Sequence, residues 1–176
     1  MLIYNKELNL KDIEDLLFGG ETLSPGDEAF ERIERSYNFL KEFTKEKVIY
    51  GINTGFGPMS QFRVEDKDLK QLQLNLIRSH ACGTGELLTD TQVKAAMIAR
   101  LATFVQGYSG VHPSLPQLLT EFINRGIYPV IPQHGGVGAS GDLVQLAHMG
   151  LALTGEGRVR YKGQFRNSLE VIKENG

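Results

Sequence analysis

The sequence predicts a mainly α-helical fold with short β pieces and long glycine-rich loops between the helices. Three observations carry this. Apolar residues recur at helical spacing in several windows, as in Phe30, Ile33, Tyr37 and Leu40. Side-chain capping signals stand at the head of these windows. Two glycine clusters, "YGINTGFGPMS" (50–60) and "HGGVGASGD" (134–142), interrupt the helical pattern and read as loops.

The bulk numbers narrow the class. A chain of 176 residues with 41% hydrophobic and 23% charged residues suits one soluble domain with a real core. A net charge of -2 gives no electrostatic reason to expect nucleic acid or an anionic membrane as partner. The lone Cys82 excludes an internal disulfide and fits a reducing compartment, so a cytoplasmic location is expected. The start "MLIYNKELNL" lacks the pattern of a signal peptide. No apolar run approaches a membrane span, since even "LVQLAH" carries Gln145 and His148.

The elements follow in order. "LIYN" reads as a strand. Ser24-Pro25-Gly26-Asp27 has the form of a capping box with proline at the first helical position, predicting a helix over roughly 25–45. Leu69, Leu72 and Leu76 mark a second helix that ends near "SHACGTG". Thr89-Asp90-Thr91-Gln92 is another capping box, heading a stripe of Val93, Met97, Leu101 and Phe104. Ser114 and Gln117 repeat the device before Leu118, Leu119, Phe122 and Ile123, with Gly126 as the stop. Residues 142–154 read as a helix of small and apolar side chains. "RVRYKGQFR" predicts a hairpin turning at Lys162-Gly163. "SLEVIKENG" begins a further helix where the chain stops, which suggests a cut or N-terminal part of a longer protein.

"GVGASGDL" (136–143) admits three readings. As G-x-G-x-x-G it suggests a dinucleotide loop. That motif needs a preceding strand, a βαβ unit and an acidic residue about 20 positions on. Pro129 and Pro132 spoil the strand, no βα alternation surrounds it, and Glu156 comes too early. The nucleophile elbow G-x-S-x-G fails because Gly141 follows Ser140 directly. The third reading is self-cyclisation. The Gly141 nitrogen attacks the Ala139 carbonyl in a strained turn, and Ser140 loses its hydroxyl to leave an exposed methylidene carbon. N–H groups at the following helix start, Asp142-Leu143, could polarise the ring oxygen. A plain glycine-rich helix cap remains the simplest account of the tripeptide alone.

Several motifs in order shift that balance. "GVGASGDL" resembles the segment that forms 4-methylidene-imidazol-5-one (MIO) in the histidine and aromatic amino-acid ammonia-lyase family. "YGINTGFGPM", "LQLNLIRSHACGTGE", "GYSGVHPSL" and "LAHMGLALTGEG" also look like family stretches. The resemblance covers nearly the whole chain, most clearly Tyr50 to Gly157. It implies the N-terminal part of an ammonia-lyase-like (fumarase/aspartase-like) helical fold, with residues 1–176 as the MIO-bearing domain. The central helix bundle and C-terminal part would be absent.

The resemblance also implies site roles. Ala139, Ser140 and Gly141 would be the autocatalytic precursor of MIO, with no external cofactor. Tyr50 would be the acid/base residue for the substrate's β-proton or its ammonia. A phenol, with a reference pKa of about 10, is a poor base at neutral pH, so the site must favour its anion. Asn53 and Gly57 would shape the loop beside the substrate. His80, in a Ser-His pair, matches the histidine-selective type, since an imidazole can hydrogen-bond a substrate imidazole. Some tyrosine aminomutases carry the same pair. His112, His134 and His148 show no metal-ligand spacing, and none is expected to hold a metal.

The usual family pattern has Ser at 136, Arg at 112 and Pro at 145. Gly136 is harmless to cyclisation. Gln145 and His112 point to a divergent subgroup, with tyrosine as its candidate substrate. The implied reaction is elimination of ammonia from L-histidine to urocanate. Tyrosine elimination to coumarate, aminomutation, a truncated non-catalytic paralogue and a dinucleotide module stand as alternatives. The implied assembly is a homotetramer with shared active sites, so the 176 residues alone are expected to be inactive.

Overall fold

A computed structural model describes residues 1–5, 8–138, 141 and 143–176. The elements are β1 (Leu2–Tyr4), α1 (Leu10–Phe18), β2 (Leu23–Pro25), α2 (Asp27–Glu46), α3 (Asp66–His80), β3 (Thr84–Leu87), α4 (Asp90–Val105), α5 (Ser114–Arg125), β4 (Tyr128–Pro129), β5 (Pro132–His134), α6 (Leu143–Leu153), β6 (Arg158–Tyr161), β7 (Gln164–Asn167) and α7 (Ser168–Asn175). The fold is mainly helical, as the sequence predicts. Among the described residues the strands form three small sheets: β1 parallel to β2, β3 antiparallel to β5, and the antiparallel order β4-β6-β7.

α4 is the centre of the core. Val93, Met97, Ile98, Leu101, Phe104 and Val105 are all buried, so its apolar face is wider than a single stripe. Leu16 of α1, Ile33 of α2, Leu119 and Phe122 of α5 and Met149 of α6 join the same cluster. α4 starts with the predicted capping box: Thr89 Oγ1 accepts the Gln92 N–H and Gln92 Oε1 accepts the Thr89 N–H. α5 ends at Gly126 in the left-handed region, as predicted. The β6–β7 hairpin turns through Lys162 (φ 50) and Gly163 (φ 76), the paired positive angles of a type I′ turn.

Three local readings are corrected. The segment before α2 is not a capping box. Leu23–Pro25 is a strand whose outer edge is paired by the Asn124 side chain, which accepts the Leu23 N–H and donates to the Leu23 carbonyl, both at 2.8 Å. Gly26 is the N-cap, without a side-chain bond, and Asp27 and Glu28 complement the helix dipole instead. α5 also lacks its expected cap. Pro113 holds the N-cap position, while the Ser114 N–H (3.2 Å) and hydroxyl (2.8 Å) are directed at His112 Nδ1. α1 is a helix the spacing argument passed over, closed by an Asn9/Asp12 capping box. The short strands containing Pro129 and Pro132 lie at the edges of their sheets, where a missing N–H is tolerated.

Candidate active site

The Tyr50 loop is held from within by two buried polar side chains. Asn53 Oδ1 accepts the Ile49 N–H at 2.7 Å, and its Nδ2 donates to the Lys47 carbonyl at 2.7 Å and the Thr44 carbonyl at 3.3 Å. Thr54 Oγ1 accepts the Gly51 N–H at 3.1 Å and donates to the Gly55 carbonyl at 2.8 Å. Buried polar groups are tolerated when paired, so these bonds make the loop a fixed shape. Asn53 thus holds the loop through its backbone.

Tyr50 projects from this frame and is 63% exposed. Its ring meets Phe56 edge to face, with centroids 5.9 Å apart. The Gly57 N–H donates to the Tyr50 oxygen at 3.2 Å. Gly57 stands at φ 54, where a side chain would strain the turn that aims this N–H. Such a donor strengthens its bond when the phenol oxygen becomes negative. Gln73 Nε2 of α3 donates to the Gly51 carbonyl at 2.9 Å and ties the loop to that helix.

His80 is the last residue of α3. Its Nδ1 lies 2.9 Å from the Leu76 carbonyl and 3.1 Å from Ser79 Oγ. A carbonyl only accepts, so Nδ1 carries the proton and the neutral ring offers Nε2 as an acceptor. The helix-end capping contact and a recognition role are therefore compatible, because they use opposite nitrogens.

α3 and α6 run antiparallel. Gly150 faces Ile77, and a Cβ placed on Gly83 would meet Val144 and His148 at 3.1 Å. At the far end Arg78 grips Glu156 through two bonds of 2.7 and 2.6 Å, which raises the arginine and lowers the glutamate relative to their ordinary pKa values. The β3–β5 ribbon pairs Thr84 with His134, fastening the chain after His80 to the chain before the glycine run. The structure thus brings His80 and Gly141 to the same end of the α3–α6 pair. The Tyr50 loop joins α3 seven residues earlier, about 10 Å along the helix. Ala139 and Ser140 lie outside the described residues. Among the described residues, no group of three or more His, Cys, Asp or Glu is placed to hold a metal ion, and no helix is long and apolar enough to cross a membrane.

His148 is a site-supporting residue the sequence reading passed over, although it shares a face with Val144 at i+4. Its Nε2 accepts the Gly83 N–H at 3.1 Å, and burial holds its pKa below the ordinary histidine range. The bond exists only while Nε2 is unprotonated. A histidine lowered by folding contributes stability that is complete above its unfolded pKa, about 6.5, and is lost as pH falls through the folded value. The thermal midpoint should therefore drop between about pH 7 and pH 5. In His148→Gln that drop should be smaller, and an equal drop in both proteins would refute the assignment.

Comparison with known proteins places this geometry. Residues 8–176 match the aromatic amino acid lyase family. The chain is 37% identical over its full length to the histidine ammonia-lyase of Geobacillus thermodenitrificans, covering 35% of that protein. It is 43% identical over its full length to the tyrosine 2,3-aminomutase of Chondromyces crocatus, covering 33% of it. Its fold superimposes on the crystal structure of the ergothioneine-degrading enzyme ergothionase from Treponema denticola with a TM-score of 0.92. That match has 30% identity and covers 98% of this chain and 35% of the other. The chain thus spans about a third of the length of the relatives it matches. Its motifs, its helical fold and these matches agree: the chain belongs to the aromatic amino acid lyase family.

Proposed function

We propose that this chain carries the electrophile-forming part of an amino-acid ammonia-lyase that converts L-histidine to urocanate. His80 carries the substrate reading. Its Nδ1 is committed to the Leu76 carbonyl, so its Nε2 presents an acceptor to a ring N–H such as that of imidazole. The similarity to a histidine ammonia-lyase over the full chain supports it.

The backbone around the precursor fits MIO. Gly135, Gly138 and Gly141 stand at φ 140, 96 and 74, angles that L side chains rarely adopt, so the chain can double back on itself there. A Cβ added to Gly136 would lie 2.0 Å from the Gly141 carbonyl oxygen, so the two ends of the turn touch. Ala139, Ser140 and Gly141 would form the group, which supplies an electrophilic methylidene carbon. Tyr50 would move the β-proton, and the Gly57 N–H would stabilise its oxygen when charged. Residues 1–176 would be the MIO-bearing domain of a homotetramer, inactive without the length that the relatives add.

A second reading has its own support. The 43% identity to a tyrosine 2,3-aminomutase favours tyrosine, handled by elimination or by amine migration. Product analysis of the full-length protein separates the readings: urocanate from histidine supports the first, while coumarate or a β-amino acid from tyrosine replaces it. In the first case His80→Leu should lower the histidine-to-tyrosine ratio of kcat/KM by about tenfold or more, since a polar substrate group would lose its partner. An unchanged ratio would remove His80 from recognition.

A further inference from the structure

We propose that the cleft between α2 and the turn after α4 is a second binding site. Its ligand is a small molecule that carries an oxyanion on a planar ring. The lining of the cleft shares no residue with the Tyr50 loop, α3 or α6, so the site goes beyond the lyase reading.

Arg32, Ser36 and Leu40 share one face of α2 at i, i+4 spacing. The turn over 107–110 is clamped onto that face. Gly107, at φ 75, comes so close that a Cβ there would stand 2.8 Å from Arg32 Cβ. Gly110, at φ 61, approaches Leu40 as tightly, with 2.5 Å from an added Cβ to Leu40 Cδ2. Ser36 Oγ accepts the Gly110 N–H at 3.1 Å and fixes the turn in place. Beside the turn lies an open pocket of about 430 Å³, whose lining includes Arg32, Arg35, Ser36, Phe39 and Tyr108.

Arg32 carries the argument. Its Nε donates to the Val105 carbonyl at 3.1 Å and satisfies an acceptor in the last turn of α4. Its Nη2 is buried and has no hydrogen-bond partner among the described residues. A buried guanidinium nitrogen without an acceptor is costly, and an anion is one remedy. Arg35 lies three residues on, lines the same pocket and is exposed. Among the described residues neither arginine is in an ion pair. Like charges at this helical spacing repel, and an oxyanion shared between them removes that cost. The guanidinium fork matches the oxygens of a carboxylate or a phosphate.

The ring preference comes from the aromatic walls. Phe39 and Tyr108 line the pocket and are 65% and 91% exposed. Phe39 is held by stacking on Phe43, with centroids 5.3 Å apart. A planar ligand ring would cover part of this apolar area in stacked or edge-to-face contact. The volume falls in the range of small-molecule sites.

The test is calorimetric titration of the full-length protein with phenyl phosphate, benzoate and inorganic phosphate. Phenyl phosphate or benzoate should bind saturably, and the tighter of the two identifies the oxyanion the site takes. Inorganic phosphate, which lacks the ring, should bind more weakly than phenyl phosphate. Arg35→Gln should weaken the bound probe by about tenfold or more, the scale of one lost bond to a charged group. Its thermal midpoint should hold, because Arg35 is exposed. Tyr108→Ala should weaken the same probe several-fold, and it decides the matter if the Arg35 variant fails to fold. Absence of binding by both ring probes would overturn the proposal. Undiminished binding in Arg35→Gln or in Tyr108→Ala would overturn it as well. None of these results touches the lyase reading, which the mass of the peptide containing Ala139 to Gly141 tests separately.

Discussion

Replacing Ser140 by alanine in the full-length protein is expected to abolish turnover while leaving the fold intact. On the proposed reading Ser140 would supply the methylidene carbon, and alanine has no hydroxyl to lose. On the same reading His80 and the Tyr50 loop would still bind substrate, so KM should stay within a few-fold. The fall in kcat should reach about three orders of magnitude or more, the scale of losses when a group that reacts covalently is deleted. The side-chain change is small and falls in a glycine-rich stretch of the sequence, so the thermal midpoint should hold. A variant that turns over at near the wild-type rate would remove the covalent mechanism from this chain.

Tyr50→Phe should give the second-largest effect. Phenylalanine preserves the edge-to-face contact with Phe56 and deletes only the oxygen that accepts the Gly57 N–H. The loop keeps its internal ties through Asn53, Thr54 and Gln73, so its shape should survive. Loss of a general acid/base costs about 10²–10⁴ in rate. That loss should fall on kcat, with KM and the thermal midpoint little changed. A variant with unaltered kcat would strip Tyr50 of a proton-transfer role. A loss matched by a lowered midpoint would assign it to loop stability instead.

The two residues were proposed from the same kind of signal. Ser140 and Tyr50 stand in short ordered motifs, and such motifs survive inspection because their backbone demands are local. The angles at Gly57 and Gly141 are of the kind that glycine signals directly. The supports of the site were harder to see. Gln73 reaches a loop 22 positions away and His148 reaches one 65 positions away, so no window of sequence contains both partners. The same reason hid the start of α2. Ser24 and Pro25 have the local form of a helix cap, but Asn124, 101 positions away from Leu23, pairs the edge of the strand they belong to. α1 was missed for a different cause. Its box pairs asparagine with aspartate, a weaker signal than the serine or threonine with glutamate or glutamine that marks such starts.

Gly136 is the instructive case. By its sequence it is one more glycine in a glycine run. In three dimensions a Cβ at this position would lie 2.0 Å from the Gly141 carbonyl oxygen. Even a methyl group here would therefore require the chain around Gly141 to shift.

The most direct test of the account is the mass of the peptide containing Ala139, Ser140 and Gly141, cut from the purified full-length protein. A mass lower by two waters, with fragmentation placing the loss on these three residues, is the predicted result. An intact, unmodified peptide from a protein that is folded and full length would contradict the account at its centre.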